Sequence, residues 1–232
     1  MAELVNTILF GVYPYIALTV LAVGTVIRYD REPYTWRSGS SQLLRRRQLV
    51  WGSVLFHVGV LVIFFGHVVG LLSPLWVWDI LGISHGTKQI IAIVMGGIAG
   101  IMGIIGATLL IHRRFFDARV RRNSSFADNM IILILWVQLA LGLGTIFVSV
   151  RHLDGEEMVR LMTWAQGIFT FNPDAASYVA DAALIFKLHI FLGLTIFVLF
   201  PFTRLVHMLS VPVRYLWRPG YQIARTKRKP AE

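Results

Sequence analysis

Five long apolar stretches dominate this sequence of 232 residues. Each is long enough to cross a hydrocarbon core about 30 Å thick, which takes roughly 20 helical residues. Because a lipid-exposed backbone must satisfy its own hydrogen bonds, such segments cross a membrane as helices. The sequence therefore predicts an all-α integral membrane bundle of five transmembrane helices, in a single domain over 1–232. The helices are expected near 5–27, 49–72, 89–112, 128–150 and 183–210.

The composition agrees with a membrane protein. Hydrophobic residues make up 56% of the chain and charged residues only 15%, which excludes a soluble domain of this size. The first stretch carries Glu3 instead of a basic start and lacks a small-x-small cleavage site, so we expect a retained helix, not a signal peptide. The chain has no cysteine, which excludes thiolate ligands, iron–sulfur clusters and a covalent c-type haem attachment within it.

Basic residues are distributed unevenly along the chain, and their distribution predicts an orientation. Of the 22 lysines and arginines, 18 lie in or beside the loops 28–48 and 113–127 or in the segment from 204 onward. By the positive-inside rule, the N-terminus lies outside and the C-terminus, with a basic tail at 213–232, is cytoplasmic. Topology thus accounts for the net charge of +10, so we expect membrane lipid and no nucleic acid as a partner.

Four histidines lie inside apolar segments, His57 and His67 in the second and His189 and His207 in the fifth. Ionisable groups within lipid are costly, so they indicate function. Because the second segment runs from inside to outside and the fifth runs back, His57 matches the depth of His207. His67 and His189 each lie roughly 7–9 Å from the outer ends of their spans, at 1.5 Å per residue. The sequence therefore predicts two paired sites at two depths.

Haem is the group that best fits two histidines at one level. A closed zinc site takes four ligands, whereas a porphyrin supplies four nitrogens and needs only two axial imidazoles. We therefore predict two haem b groups, an inner one on His57 and His207 and an outer one on His67 and His189, with electron transfer as the function. The alternative is that these histidines are hydrogen-bonded between helices, as in a haem-free transporter or scaffold.

Other residues near the predicted sites also carry expectations. Small residues beside the histidines would let a flat macrocycle approach the backbone; they are Gly59, Gly66, Gly70 and Gly193. Basic residues near the inner ends, Arg113, Arg114 and Arg204, could pair with propionates. Glycines spaced along the third stretch favour close helix packing. The segment 155–169 has apolar residues near helical spacing, which predicts a short amphipathic helix at the outer interface.

Several longer motifs carry a family likeness over nearly the whole chain. They are YPYIA in the first helix, RYDREPYTWRSGSSQ in the inner loop, FHVGVLVIFFGHVVG in the second helix, TKQIIAIVMGG, WAQ, KLHIFLG and the final FPFTRLVHMLSVPVRYL. On these residues the chain resembles the gamma subunit of membrane-bound respiratory nitrate reductase, a di-haem b-type cytochrome. A generic cytochrome b would share the histidines but not the inner loop or the final segment.

The resemblance implies the same two histidine pairs as haem ligands, and quinol oxidation beside the outer haem. The residues that match the quinol site are Gly66, His67 and Lys88. From the sequence alone, an interfacial anchor is the favoured interpretation of Lys88, and quinol contact is what the resemblance implies. The inner loop and tail would dock an iron–sulfur beta subunit, which feeds a molybdenum-containing alpha subunit on the cytoplasmic side. The catalytic proton acceptor for quinol is not identified by any motif.

Taken together, the residues and the resemblance predict the quinol-oxidising subunit of a respiratory nitrate reductase complex, integral to a bacterial or archaeal cytoplasmic membrane. Nitrate itself would be reduced on another chain. One alternative is a di-haem cytochrome b of another quinone-linked complex, such as a sulfur or heterodisulfide redox system, which would differ in its partner.

Overall fold

The computed structural model describes residues 1–32, 34, 36 and 44–210. All regular structure within these ranges is helical, which confirms the predicted all-α class. Five helical segments are long and apolar enough to cross a membrane: Glu3–Arg31, Arg46–Leu72, His85–Phe116, Phe126–Ser149 and Leu184–Phe202. The predicted tail 213–232 and most of the inner loop's centre lie outside the described residues. The direction in which the bundle crosses the membrane stays a prediction.

The described residues form α-helices that are numbered in chain order. They are α1 (Ala2–Thr7), α2 (Tyr13–Arg31), α3 (Arg46–Leu72), α4 (Leu75–Ile80), α5 (His85–Phe116), α6 (Ala118–Arg122), α7 (Phe126–Ser149), α8 (Glu156–Phe169) and α9 (Leu184–Leu199). A π-helical turn, Ile8–Val12, joins α1 and α2 into the first span. Short 3-10 segments cover Ala175–Val179, Phe200–Phe202 and Arg204–Ser210.

Polar side chains mark where two of the spanning helices begin. Ser84 precedes α5, and its hydroxyl accepts the Thr87 backbone N–H at 3.2 Å. Ser125 precedes α7 and forms a capping box with Asp128, in which each side chain accepts the other residue's backbone N–H. These contacts satisfy N–H groups that the first turn of a helix leaves unpaired. The connections before α5 and α7 therefore end at defined residues.

The π-helical turn of the first span is stabilised by a residue far along the chain. Pro14 has no N–H, so it cannot donate to the carbonyl four residues earlier, that of Phe10. The indole Nε1 of Trp164 donates to this carbonyl at 2.9 Å. Trp164 belongs to α8, which confirms a helix in the predicted amphipathic segment. Phe10 and Trp164 belong to one buried cluster, to which α8 also contributes Ala165 and Ile168. The end of the bundle opposite α8, where Arg113, Arg114 and Arg204 lie, is called the arginine end.

Helices α3 and α5 pack closely because glycines face each other across their interface. A Cβ added to Gly59 would lie 2.5 Å from the Ala99 carbonyl and 2.6 Å from the Gly103 nitrogen. A Cβ added to Gly106 would lie 2.8 Å from the Gly52 carbonyl and even closer to the backbone nitrogen of Phe56. Gly103 and Gly106 of the third span therefore serve helix packing, as predicted, whereas a Cβ added to Gly96 would meet no atom within 4 Å.

Replacing Gly106 by alanine should destabilise the bundle measurably. The new methyl would meet the backbone of α3, which cannot move aside as a side chain could, and overpacking of this kind costs about 1–3 kcal/mol. The matched control is Gly97→Ala on the same helix, where the nearest atom to the added Cβ is Ile146 Cδ1 at 3.7 Å. We expect a lower midpoint of thermal unfolding in detergent for Gly106→Ala only. Equal midpoints for both variants would contradict this account of the interface.

The predicted end of the fifth helix, near residue 210, is wrong. The α-helix ends at Leu199, and two 3-10 segments follow it. The reason is Pro201, which has no N–H to continue the helical hydrogen bonds. Arg28 of α2 donates from Nη1 to the carbonyls of Pro201 at 2.6 Å and Thr203 at 2.8 Å, and so satisfies acceptors at the broken end. His207 therefore lies on a separate segment, and its position does not follow from helical periodicity counted from His189.

Candidate functional site

Four histidine side chains form two close pairs in the structure. The ring centroids of His57 and His207 lie 6.1 Å apart, with an angle of 75° between the ring planes. The centroids of His67 and His189 are also 6.1 Å apart, with an angle of 40°. His57 and His67 belong to α3, His189 belongs to α9, and His207 belongs to the 3-10 segment Arg204–Ser210 that follows α9. The structure thus brings together the same rings that the depth argument paired.

Three of the four rings are oriented by a backbone carbonyl. Nδ1 of His57 contacts the carbonyl of Ser53 at 2.7 Å, and Nδ1 of His67 contacts that of Ile63 at 2.8 Å. Nδ1 of His207 contacts the Arg204 carbonyl in the same way. A proton on Nδ1 leaves Nε2 with a free lone pair, which is the tautomer that binds a metal through Nε2.

The spacing of the pairs fits one metal atom held between two imidazoles. A metal midway between centroids 6.1 Å apart lies about 3 Å from each. This matches a metal–nitrogen bond of about 2 Å plus roughly 1 Å from the nitrogen to the centre of the ring. Among the described residues, no group of three or more His, Asp or Glu side chains could hold a metal ion. The residues present therefore fit a haem, which brings its own four nitrogens, better than a closed zinc site.

Two glycines of α3 leave space beside His67. A Cβ added to Gly66 or Gly70 would meet no atom within 4 Å, in agreement with the expectation that a flat group can approach there. The same expectation is wrong for Gly59, which packs against α5. It is also wrong for Gly193, where an added Cβ would lie 3.2 Å from Nε2 of Gln138.

Lys88, at the start of α5, is buried with only 4% of its surface exposed. Its Nζ donates to the Gly70 carbonyl at 2.9 Å and lies 2.8 Å from Met162 Sδ. It also lies 4.3 Å from the centroid of the Trp78 ring. Gly70 is one helical turn from Gly66 on α3, so the ammonium lies beside the turn that carries Gly66 and His67. This burial argues against the alternative of an exposed interfacial anchor.

Comparison with known proteins identifies the family of this chain. A family model described as nitrate reductase gamma subunit matches residues 6–227. The chain belongs to this family. It is 45% identical to the respiratory nitrate reductase 1 gamma chain of Escherichia coli (strain K12), over 97% of this chain and 99% of that one. It is 39% identical to the nitrate reductase gamma chain of Bacillus subtilis (strain 168), over 95% and 98% of the two chains. It is thus the membrane cytochrome b subunit of a nitrate reductase complex, an oxidoreductase.

Two residues around Lys88 of this gamma chain were not predicted from the sequence. Trp78 lies on α4, and its indole Nε1 donates to the Ser73 hydroxyl at 2.7 Å, which fixes the ring that the ammonium faces. Met162 comes from α8 and is fully buried. A tryptophan near a membrane boundary is usual, and an apolar residue on an amphipathic helix is usual too, so neither carries a signal of its own. Only the contact with Lys88 distinguishes them.

The three arginines expected to meet propionates contact protein groups at the arginine end. Nε and Nη2 of Arg113 donate to the Leu44 carbonyl at 3.0 and 2.8 Å. Arg114 donates to the backbone carbonyl of Asp128, and Nη1 of Arg204 lies 3.7 Å from the Asp128 carboxylate. Burial lowers the pKa of the Arg204 guanidinium, while this carboxylate acts in the opposite direction. These contacts connect the starts and ends of several spans, and pairing with propionates stays a prediction.

Proposed function

We propose that this gamma chain oxidises quinol near the outer face of the membrane and passes the electrons, through two haem b groups, to an iron–sulfur subunit on the cytoplasmic side. The observation that carries the proposal is the pair of histidine contacts, His57 with His207 and His67 with His189, each with ring centroids 6.1 Å apart. His57 and His67 lie on the same helix, α3, almost three turns apart, so the two sites lie at different depths. This arrangement supports a conductor across the membrane.

In this proposal His67 and His189 hold an outer haem, and His57 and His207 hold an inner one. Haem held there would supply one-electron carriers, and two histidines for each haem would leave no place for oxygen to bind, which favours electron transfer. The protein's own part is to fix the rings. For His57 and His67 the carbonyls one turn earlier on α3 do this by accepting from Nδ1.

We place quinol beside Gly66, His67 and Lys88. Oxidation breaks the two O–H bonds of the quinol, releases two protons to the outer side and yields the quinone and two electrons. The Lys88 ammonium can donate to a quinol oxygen and stabilise the negative charge that grows there as the proton leaves. Its contacts with the Gly70 carbonyl and the Trp78 ring hold it near that position. The open space at Gly66 leaves room for the ring of the quinol.

The proposed direction of electron flow conserves energy. Moving one charge through a potential of 100 mV is worth about 2.3 kcal/mol. Electrons that travel from the outer to the inner side, with protons left outside, therefore build membrane potential. The arginine end is assigned to the cytoplasmic side because 18 of the 22 basic residues lie in or beside the loops and the final segment that the positive-inside rule places there.

The partners of the complex follow from the same orientation. The inner loop 28–48 and the tail 213–232 are proposed to dock an iron–sulfur beta subunit, which delivers electrons to a molybdenum-containing alpha subunit that reduces nitrate. At the described edge of this surface, Arg45 forms an ion pair of 3.0 Å with Asp117, so the start of α3 is tied to the start of α6.

Isolation of the chain with its native partners from membranes tests this function. A reduced quinol should reduce both haems, and nitrate should then reoxidise them through a co-purified molybdenum protein. Haems that quinol reduces but nitrate does not reoxidise, with no molybdenum protein present, would contradict the proposed partners. An intact chain without b-type haem would contradict the proposed role of the histidine pairs.

A further inference from the structure

Gln138 places an amide within the fourth span, directly against His189. Its Nε2 donates to the His189 carbonyl at 3.1 Å and lies 3.5 Å from Nε2 of the His189 ring. Its Oε1 is buried and has no hydrogen-bond partner among the described residues. A polar side chain within a membrane span is costly unless it serves a partner, and half of the hydrogen-bonding capacity of this amide remains available.

His189 differs from the other three paired histidines. Their Nδ1 atoms contact backbone carbonyls three or four residues earlier in the chain. Nδ1 of His189 is buried and has no such partner in the described part of the chain. The His189 ring is therefore oriented by a side chain of a neighbouring helix, where the other rings are oriented by their own segments.

Two glycines make room for this contact, one on each helix. Gly142 lies one turn after Gln138 on α7, and a Cβ added to it would lie 3.0 Å from Cε1 of His189. Gly193 lies one turn after His189 on α9, and a Cβ added to it would lie 3.2 Å from Nε2 of Gln138. Each helix thus has a glycine where the polar side chain of the other helix packs. The interface between α7 and α9 therefore has space for the contact between Gln138 and His189.

We propose that Gln138 is the positioning residue of His189 and sets the midpoint potential of the outer haem. The inference rests on the proposed ligation of that haem by His67 and His189. In the structure the amide presents its Nε2 to Nε2 of the ring, while Oε1 of Gln138 and Nδ1 of His189 are both buried without a hydrogen-bond partner within the described residues. When Nε2 of the ring binds the metal, Nδ1 carries the proton, and Oε1 can turn to accept it. An accepted N–H makes the imidazole a stronger electron donor, which stabilises the oxidised haem and lowers its potential.

Gln138→Leu tests this proposal, since leucine fills similar space and cannot accept a hydrogen bond. We expect both haems to be retained and the potential of the outer haem to rise. The expected shift is about tenfold in its oxidised-to-reduced ratio at a fixed potential, or ~59 mV for one electron. The low-spin electron paramagnetic resonance signal of the same haem should shift as well. The inner haem provides an internal control, and its potential should stay unchanged.

The matched control is Gln48→Leu, the same substitution on α3, where the amide donates to the Leu109 carbonyl at the arginine end. It should leave both potentials unchanged. If Gln138→Leu does not accumulate, Gly193→Ala decides, because its methyl displaces the amide and should produce a smaller shift in the same direction. Two haems with unaltered outer potential and signal in either variant would overturn the role of Gln138. Absence of haem from the unaltered chain would instead refute the proposed function.

Discussion

Replacing His67 by alanine is expected to remove one of two haems and to abolish reduction of the remaining one by quinol. The variant leaves His189 without its partner at 6.1 Å, and a single imidazole does not complete a bis-histidine site. The inner pair keeps both ligands, so half of the haem should remain. Because quinol would enter through the outer site, the retained haem should lose its electron source, while a small soluble reductant should still reduce it.

Haem extraction and a reduced-minus-oxidised spectrum of purified His67→Ala provide the measurement. His189→Ala should give the same result, since both residues belong to one site. The control is His152→Ala, a histidine in the connection after α7, which should retain two haems and full quinol-dependent reduction. Retention of two haems in His67→Ala or His189→Ala would refute the assignment of these residues.

Replacing Lys88 by alanine should weaken quinol binding with both haems in place. The ammonium is held by the Gly70 carbonyl and the Trp78 ring beside the turn of His67, but it does not belong to either histidine pair. Loss of a charged hydrogen bond worth roughly 1.5–3 kcal/mol corresponds to about a 10–150-fold rise in the apparent KM for quinol. The haem spectrum should stay that of the unaltered protein.

Steady-state kinetics with a soluble quinol analogue would measure this effect. Lys187→Ala is the matched control, because Lys187 lies at the start of α9 and its Nζ donates to the Ala180 carbonyl, away from Lys88's contacts. It should leave the KM unchanged. Identical quinol kinetics for both lysine variants would return Lys88 to an anchoring role and would remove the quinol site from this position.

The sequence predicted the part of the fold that hydrophobicity controls. Five spans follow from five apolar stretches, because a membrane imposes one requirement along the whole length of each helix. The histidine pairs could also be predicted, since depth and chain direction suffice to match two helices that run in opposite directions. The pairing does not depend on a continuous fifth helix, and it therefore agrees with the structure although the helix ends at Leu199.

The contacts around the paired histidines could not be predicted, because they depend on which helices are neighbours and how each is rotated. Gln138 meets His189 across 51 residues of sequence, and Lys88 meets Met162 across 74. A single sequence indicates which residues share one face of a helix, but it does not show which other helix packs against that face. The error at Gly59 has the same origin, since a glycine beside a histidine along the chain faced α5 instead of the site.

The most direct test of the central claim is the number of b-type haems in the native chain, together with their response to quinol. The chain should be purified from membranes in its complex and the haem content determined per gamma chain. We predict two non-covalently bound b-type haems per chain, both reduced when quinol is added. An intact chain that carries no b-type haem, or only one, would contradict the account of two histidine pairs as haem sites.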